Sequence, residues 1–392
     1  MKYTRISVVC LIALLVLTAF AGCRTSVNTP ADTCEATVAV PSTEADTQAP
    51  CETETNESPG TVDRLSETLA NKVKLRFDEK GEFKIMMLSD LHMYGDGLSA
   101  ATRENICLLV EHEHPDLVIL NGDNVADTSV QNEGDLRHLL KGLTDYLESE
   151  GIYWIHVYGN HDGETRLPVV QQQRVYESYD HCLSKRGDVG RCGLGNYVLP
   201  LYGARDDEIK FVIWALNSGD YLSEEDREAL FPDGKMPFPG NGSPKYDYIH
   251  SEQIEWYEEI ADLLKSQNDG EAVPGLMAFH IPLQEMYAAW INRDGLEWTG
   301  QKGGDVGSSG YNPGFFEVLR RRGDVKAVVN GHDHTNDFMV NYGGIKLCYC
   351  STVSTNTHHD PNILGTRLFV IRESDPTDVE TYMTYVKDLT RR

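Results

Sequence analysis

The chain has 392 residues, 40% hydrophobic and 24% charged, which supplies a sizeable core and excludes a wholly disordered protein. Its 35 basic and 61 acidic side chains give a formal charge of −26, a field that argues against nucleic acid as a partner, and the sequence shows no basic patch to override it. The same field opposes phosphorylated substrates at long range, so phosphate chemistry here requires positive charge placed locally, as bound divalent cations would place it.

The N-terminus reads as an export signal. Lys2 and Arg5 precede an apolar stretch from Ile6 to Phe20 that is short for a spanning helix and ends in Ala21-Gly22-Cys23. Residues 1–23 are therefore expected to carry the signal, with cleavage before Cys23. The segment resembles a bacterial lipoprotein signal, although Phe20 stands where Leu is usual. That resemblance implies a lipid on Cys23, a membrane anchor and a place in the cell envelope. A plain secretory signal is the alternative, and either one exports the mature protein.

Residues 24–62 are dominated by Thr, Ala, Glu, Ser and Pro, too poor in large apolar groups to offset the entropy of ordering, and read as a tether. One domain is expected over 63–392. Seven cysteines lie beyond Cys23, so at least one is unpaired; an oxidising compartment permits a Cys182–Cys192 bridge without fixing it. Cys348 and Cys350 are two apart in an apparent strand and share a face.

From residue 63 onward, short apolar runs alternate with segments of helical period, which indicates an α/β architecture. Strands are predicted at Phe83–Ser89, Asp116–Asn121, Ile152–Tyr158, Lys210–Leu216, Gly275–Phe279 and Val325–Asn330, then a strand-rich stretch from Phe338. The spacing of Ile254, Tyr257, Ile260 and Leu264 predicts a packing helix over 250–266.

Five of the runs end in groups able to bind a metal. IMMLSDLH carries Asp90 and His92, VILNGDN carries Asp123, WIHVYGNHD carries Asn160 and His161, LMAFH carries His280, and VVNGHDH carries His332 and His334. Groups at the C-terminal ends of neighbouring strands meet in one crevice. Seven candidate ligands exceed what one catalytic zinc takes from protein and suit a pair of ions. Carboxylate, imidazole and amide without thiolate fit manganese, iron or zinc.

The ordered set D-x-H, G-D-N, G-N-H-D, H and G-H-x-H resembles the calcineurin-like metallophosphoesterases. CGLGNYVLPL, SEQIEWYEE, FHIPLQE and GHDHTNDF resemble the branch related to purple acid phosphatases. The resemblance implies a sandwich of two central mixed β-sheets flanked by α-helices. It also implies one ion on Asp90, His92 and His334 and another on Asn160, His280 and His332, with Asp123 as the bridge. His161 matches the family's proton donor. Purple acid phosphatases carry a metal-binding Tyr three residues after the bridging Asp and no His at the position of His92. This chain has Ala126 and His92, so the iron–tyrosinate colour should be absent.

The implied reaction is phosphate ester hydrolysis. Two cations lower the pKa of a shared water toward about 7, the resulting hydroxide attacks phosphorus in line, Asn160 contacts the phosphoryl oxygens, and His161 protonates the leaving alkoxide. Monoesters of small molecules are the expected substrates. The alternatives are a phosphodiesterase acting on nucleotides or lipid head groups and a metal-stabilised binding protein without turnover.

Further polar groups near these motifs have two readings each. Asp162 is placed to orient a histidine and Arg166 to meet a phosphate, Asn336 and Asp337 to bond ligand imidazoles or cap a loop, and His358 and His359 to reach substrate. The segment GQKGGDVGSSG at 300–310 lacks the phosphate-loop order and reads as a mobile lid or a surface loop.

Overall fold

A computed structural model describes residues 61–235 and 242–389; the expected signal, Cys23 and nearly all of the tether lie outside them. The strands are β1 (Leu75–Arg76), β2 (Glu82–Leu88), β3 (Leu117–Asn121), β4 (Tyr153–Val157), β5 (Tyr197–Tyr202) and β6 (Ile209–Ala215). They continue as β7 (Gly275–Ala278), β8 (Trp298–Thr299), β9 (Val325–Asn330), β10 (Met339–Tyr342), β11 (Ile345–Tyr349), β12 (Gly365–Arg372) and β13 (Asp375–Tyr385).

Two sheets result, in the orders β1-β5-β6-β7-β9-β11-β10-β8 and β13-β12-β2-β3-β4. Both are mixed. β2, β3 and β4 run parallel in the smaller sheet, and β6, β7, β9 and β11 run parallel in the larger, with antiparallel partners outside them. The expected architecture is therefore the one found.

The two-residue alternation of strand side chains assigns each sheet's faces. Ile85 and Met87 of β2 join Phe211, Ile213, Leu276, Ala327 and Val329 in a core between the sheets. Met86 and Leu88 face the other way, with Val118, Leu120 and Trp154, onto helices Ala100–Glu113, Glu133–Ser149 and Val169–Glu177. The outer face of the larger sheet is covered by Ser251–Gln267, Glu285–Ile291 and Phe315–Arg322. Because both faces of these strands are buried, their sequences are nearly continuous apolar runs.

The expected strands match to within two residues, as does the 250–266 helix. β1, β5 and β8 had no strand signal. β1 and β8 have two residues each, and β5 contains Pro200, a residue that argues against a central strand. It is tolerated because β1 covers only Leu201 and Tyr202 of that edge.

The Cys182–Cys192 bridge is not made. Both thiols are free: Cys182 packs in the core of the smaller sheet's outer face and Cys192 in that of the larger. Each fills its core as a small apolar group. Cys348 and Cys350 do share a face, in the core between the sheets.

Candidate metal centre

The loops leaving the C-terminal ends of five strands carry the candidates. Asp90 and His92 follow β2, Asp123 follows β3, Asn160 and His161 follow β4, His280 follows β7, and His332 and His334 follow β9. Once the strands end, the backbone turns sharply. Among the described residues six non-glycine residues have positive φ, and four are candidates: Asp90 (56°), His92 (45°), Asp123 (49°) and His332 (79°). Such conformations cost about 1–3 kcal/mol each and persist where the surroundings over-determine them. The glycines of the motifs allow close approach. A Cβ on Gly159 would lie 2.3 Å from the backbone nitrogen and Oδ1 of Asp123, and one on Gly331 would lie 1.9 Å from Ser89 Oγ.

Two clusters form. The donor atoms of Asp90, His92 and His334 lie within 4.8 Å of one another, as do those of Asp123, His280 and His332. In the first, His92 Nε2 is 3.2 Å from His334 Nε2, which is 3.5 Å from Asp90 Oδ1. In the second, His280 Nε2 is 3.0 Å from Asp123 Oδ2. That same oxygen is 3.6 Å from His92 Nε2. Asp123 thus stands between the clusters, where a bridging carboxylate has to be.

Hydrogen bonds from the surroundings fix how several of these side chains are turned. His280 Nδ1 donates to the Asn121 carbonyl (2.9 Å) and His334 Nδ1 to the His358 carbonyl (2.7 Å), so Nε2 is the remaining donor atom in both. Ser89 Oγ donates to Asp90 Oδ2 (2.6 Å), and the His332 N–H points at the same carboxylate (3.1 Å). Asp123 Oδ1 accepts the His161 N–H (2.8 Å), and Asn160 Nδ2 donates to the Tyr221 hydroxyl (2.9 Å).

Three atoms decide whether cations fit. Asn160 Oδ1, His280 Nε2 and His332 Nδ1 are buried without a hydrogen-bond partner; the 3.0 Å approach of His280 to Asp123 is not aligned as a bond. Leaving buried acceptors unpaired costs about 1–3 kcal/mol each, and these three are the residues expected to share one ion. Their nitrogen and oxygen atoms suit a divalent metal.

The electrostatics agree. Burial pushes His92 and His332 down to about 3, which keeps both neutral and able to ligate. Burial alone would lower His280 too, but Asp123 and Asp90 beside it raise it to about 9, so a proton competes with a cation for Nε2. Burial would raise Asp123; His280, His92 and His161 together pull it below the usual carboxylate range. Burial keeps Asp90 above that range against the pull of His280 and His334.

A sequence model of the calcineurin-like phosphoesterase domain matches residues 83–336, a span that holds all seven candidate metal ligands and His161. The chain belongs to the calcineurin-like phosphoesterase family. Its similarity extends to proteins of Arabidopsis thaliana. Probable inactive purple acid phosphatase 29 is 29% identical over 310 residues, 71% of this chain and 74% of its own. Probable inactive purple acid phosphatase 14 is 30% identical over 307 residues, 70% of this chain and 71% of its own. Phosphatase DCR2 of Saccharomyces cerevisiae is 27% identical over 308 residues, 70% of this chain and 49% of its own. This phosphoesterase domain holds two groups of candidate metal ligands, Asp90 with His92 and His334, and Asp123 with His280 and His332.

The remaining candidates of this family member fall on both sides of expectation. His161 sits at the rim, its ring 4.9 Å from His92 and its Nδ1 2.8 Å from Glu164 Oε2. It also groups with His92 and Asp123 closely enough to ligate. Asp162 bonds no histidine: it accepts the Gly159 and Val125 N–H groups, tying the loops after β4 and β3 together. Burial, then the nearby Asp123, pushes its carboxyl up to about 7.

Asn336 and Asp337 do not bond the imidazoles. Asn336 Oδ1 accepts the Gly303 and Gly304 N–H groups and its Nδ2 donates to the Asp305 carbonyl, while Asp337 Oδ1 accepts the Gln301 N–H. The 300–310 segment is therefore pinned to the loop that carries His332 and His334, with Ser308 and Ser309 buried, rather than set out as a lid. Arg166 is exposed, and His358 contributes a carbonyl to the site. Sequence reasoning missed Tyr221, Tyr246 and Lys245. The Tyr246 ring meets His332 edge-on at 4.4 Å, and Lys245 lies over both tyrosines at 4.4 and 5.3 Å. No motif surrounds them.

Proposed function

We propose that this chain is an active, exported two-metal phosphoesterase that hydrolyses phosphate monoesters of small molecules. The observation that carries the reading is the convergence of three buried, unpartnered donor atoms, on Asn160, His280 and His332, beside a carboxylate shared with a second ligand cluster. Asp90, His92 and His334 would hold one ion, Asn160, His280 and His332 the other, and Asp123 both. When bound, manganese, iron or zinc ions supply charge neutralisation and a water acidic enough to attack near neutral pH.

The chain's own residues do the rest. His161 has Nδ1 engaged by Glu164, so Nε2 is the atom that hands a proton to the leaving oxygen. Asn160 spends one amide hydrogen on Tyr221 and keeps the other for a phosphoryl oxygen. Lys245, at the rim, offsets part of the acidic field for an arriving anion.

Monoester preference is tested by comparing kcat/KM on an aryl phosphate monoester and the matching diester. The expected ratio favours the monoester about tenfold or more, a difference of about 1.4 kcal/mol. A ratio in favour of the diester would make the protein a phosphodiesterase acting on nucleotides or lipid head groups. The names of the Arabidopsis relatives favour a second reading, a metal-stabilised binding protein without turnover. Against it stands the complete set of seven candidate ligands with His161.

The export signal and the lipid on Cys23 belong to the same proposal, and the net charge of −26 would not itself hold the protein on an anionic bilayer. Cys23→Ser is expected to shift the protein from the membrane to the soluble fraction of cells. Unchanged membrane association would remove the lipid anchor from the account.

A further inference from the structure

Glu164 and Tyr221 touch neither candidate cluster's donor atoms, yet they join two residues to which the proposed function gives different tasks. A single 3₁₀ turn, Asp162–Glu164, brings the Glu164 carboxylate back over His161, with Oε2 2.8 Å from Nδ1. The other oxygen, Oε1, accepts the Tyr221 hydroxyl at 2.8 Å. That hydroxyl in turn accepts Asn160 Nδ2 at 2.9 Å. Donor and acceptor directions agree along the whole row: amide to hydroxyl, hydroxyl to carboxylate, imidazole N–H to carboxylate. An amide that gives its NH₂ to Tyr221 has its oxygen left over, and that is the buried Oδ1 without a partner. An imidazole that gives Nδ1–H to Glu164 has Nε2 left over. One hydroxyl sets the first choice and bonds the carboxylate that sets the second.

We propose that Tyr221, acting through Glu164, is a positioning residue that locks the metal ligand Asn160 and the proton donor His161 into one hydrogen-bonded unit. The proposal rests on the phosphoesterase reading given above. Its ring is held independently of its hydroxyl, stacked near Tyr246 at 6.0 Å with Lys245 over it at 4.4 Å, so Tyr221→Phe removes the link while keeping the packing.

The test compares wild type, Tyr221→Phe, His161→Ala and the double variant as metal-loaded protein. Manganese affinity is measured by titration, and kcat on an alkyl phosphate and on an activated aryl phosphate. Tyr221→Phe is expected to weaken one of the two ions by about 10–100-fold and to slow the alkyl ester about tenfold more than the aryl ester. In the His161→Ala background the difference between esters should not grow further, because the group being positioned is gone. Glu164→Gln, which keeps the shape but only one acceptor oxygen, should reproduce the ester difference with a smaller loss of metal.

Equal slowing of both esters, additive with His161→Ala and with both ions held as in wild type, would show a merely structural role and overturn the proposal. If wild type with two ions hydrolyses neither ester, the functional reading fails by itself. Metal affinity then decides Tyr221: an unchanged second ion overturns the link and a weakened one supports it.

Discussion

Asp123→Asn is expected to lower kcat/KM by about 10³–10⁴-fold and to reduce the metal content from two ions to one or none. Oδ2 of Asp123 is the atom that reaches both clusters, 3.0 Å from His280 Nε2 and 3.6 Å from His92 Nε2. An amide there keeps the acceptor for the His161 N–H but removes the charge, and if its NH₂ takes the place of Oδ2 it turns hydrogens toward the cations. Metal-ion stabilisation worth several kcal/mol, at about 1.4 kcal/mol per decade, gives the size of the loss. The fold should survive, since Oδ1 keeps its role between the loops. Metal analysis and steady-state kinetics check this together with a thermal melt. A variant that keeps two ions and runs within tenfold of wild type would deny Asp123 the bridging place.

His161→Ala should act differently. With both ions retained, hydrolysis of esters with poor alkyl leaving groups should fall about 10²–10⁴-fold, while activated aryl esters, whose leaving oxygens need no proton, fall little. The structure favours this over a ligand role because Nδ1 is engaged by Glu164 and the ring is only half-buried at the rim, unlike His92 and His280. Loss of an ion in His161→Ala would instead make it a ligand, as its grouping with His92 and Asp123 permits. Equal losses on both ester types would remove it as the acid.

What could be read from the sequence follows from burial on both faces. β3 is LVILN with every residue buried, so it stands out as an apolar run whose end is marked by Gly122-Asp123. β7 is likewise buried throughout and β4 and β9 at all but one position, and this is why the ligand loops were visible before the fold was. Positive φ at Asp90, His92, Asp123 and His332 was invisible, because Asp and His tolerate that conformation better than most residues but adopt it only where converging loops impose it. Tyr221 lies 57 residues after Glu164 in a loop with no periodic pattern, and its bond depends on where the chain goes after β6. Ser89 stood beside Asp90 in plain view, but a serine next to an aspartate is too common to signal a bond.

Where the sequence left two readings open, contacts distant in the chain chose between them. Asn336 follows the ligand motif so closely that a bond to imidazole looked natural, yet the nearest unpaired groups were the backbone N–H groups of Gly303 and Gly304. Buried backbone donors must be satisfied, and this demand pins the glycine-rich segment that composition alone leaves as either a mobile lid or a surface loop. The Cys182–Cys192 bridge, which the sequence permitted without fixing, is absent because the two thiols sit in different cores.

Activity depends on seven side chains from five strand ends holding two ions and using them. Purified soluble protein, stripped and then reconstituted with manganese, iron or zinc, should bind two ions per chain and hydrolyse an aryl phosphate only when both are present. Fewer than two ions per chain, or two ions without hydrolysis of any phosphate ester, would contradict it.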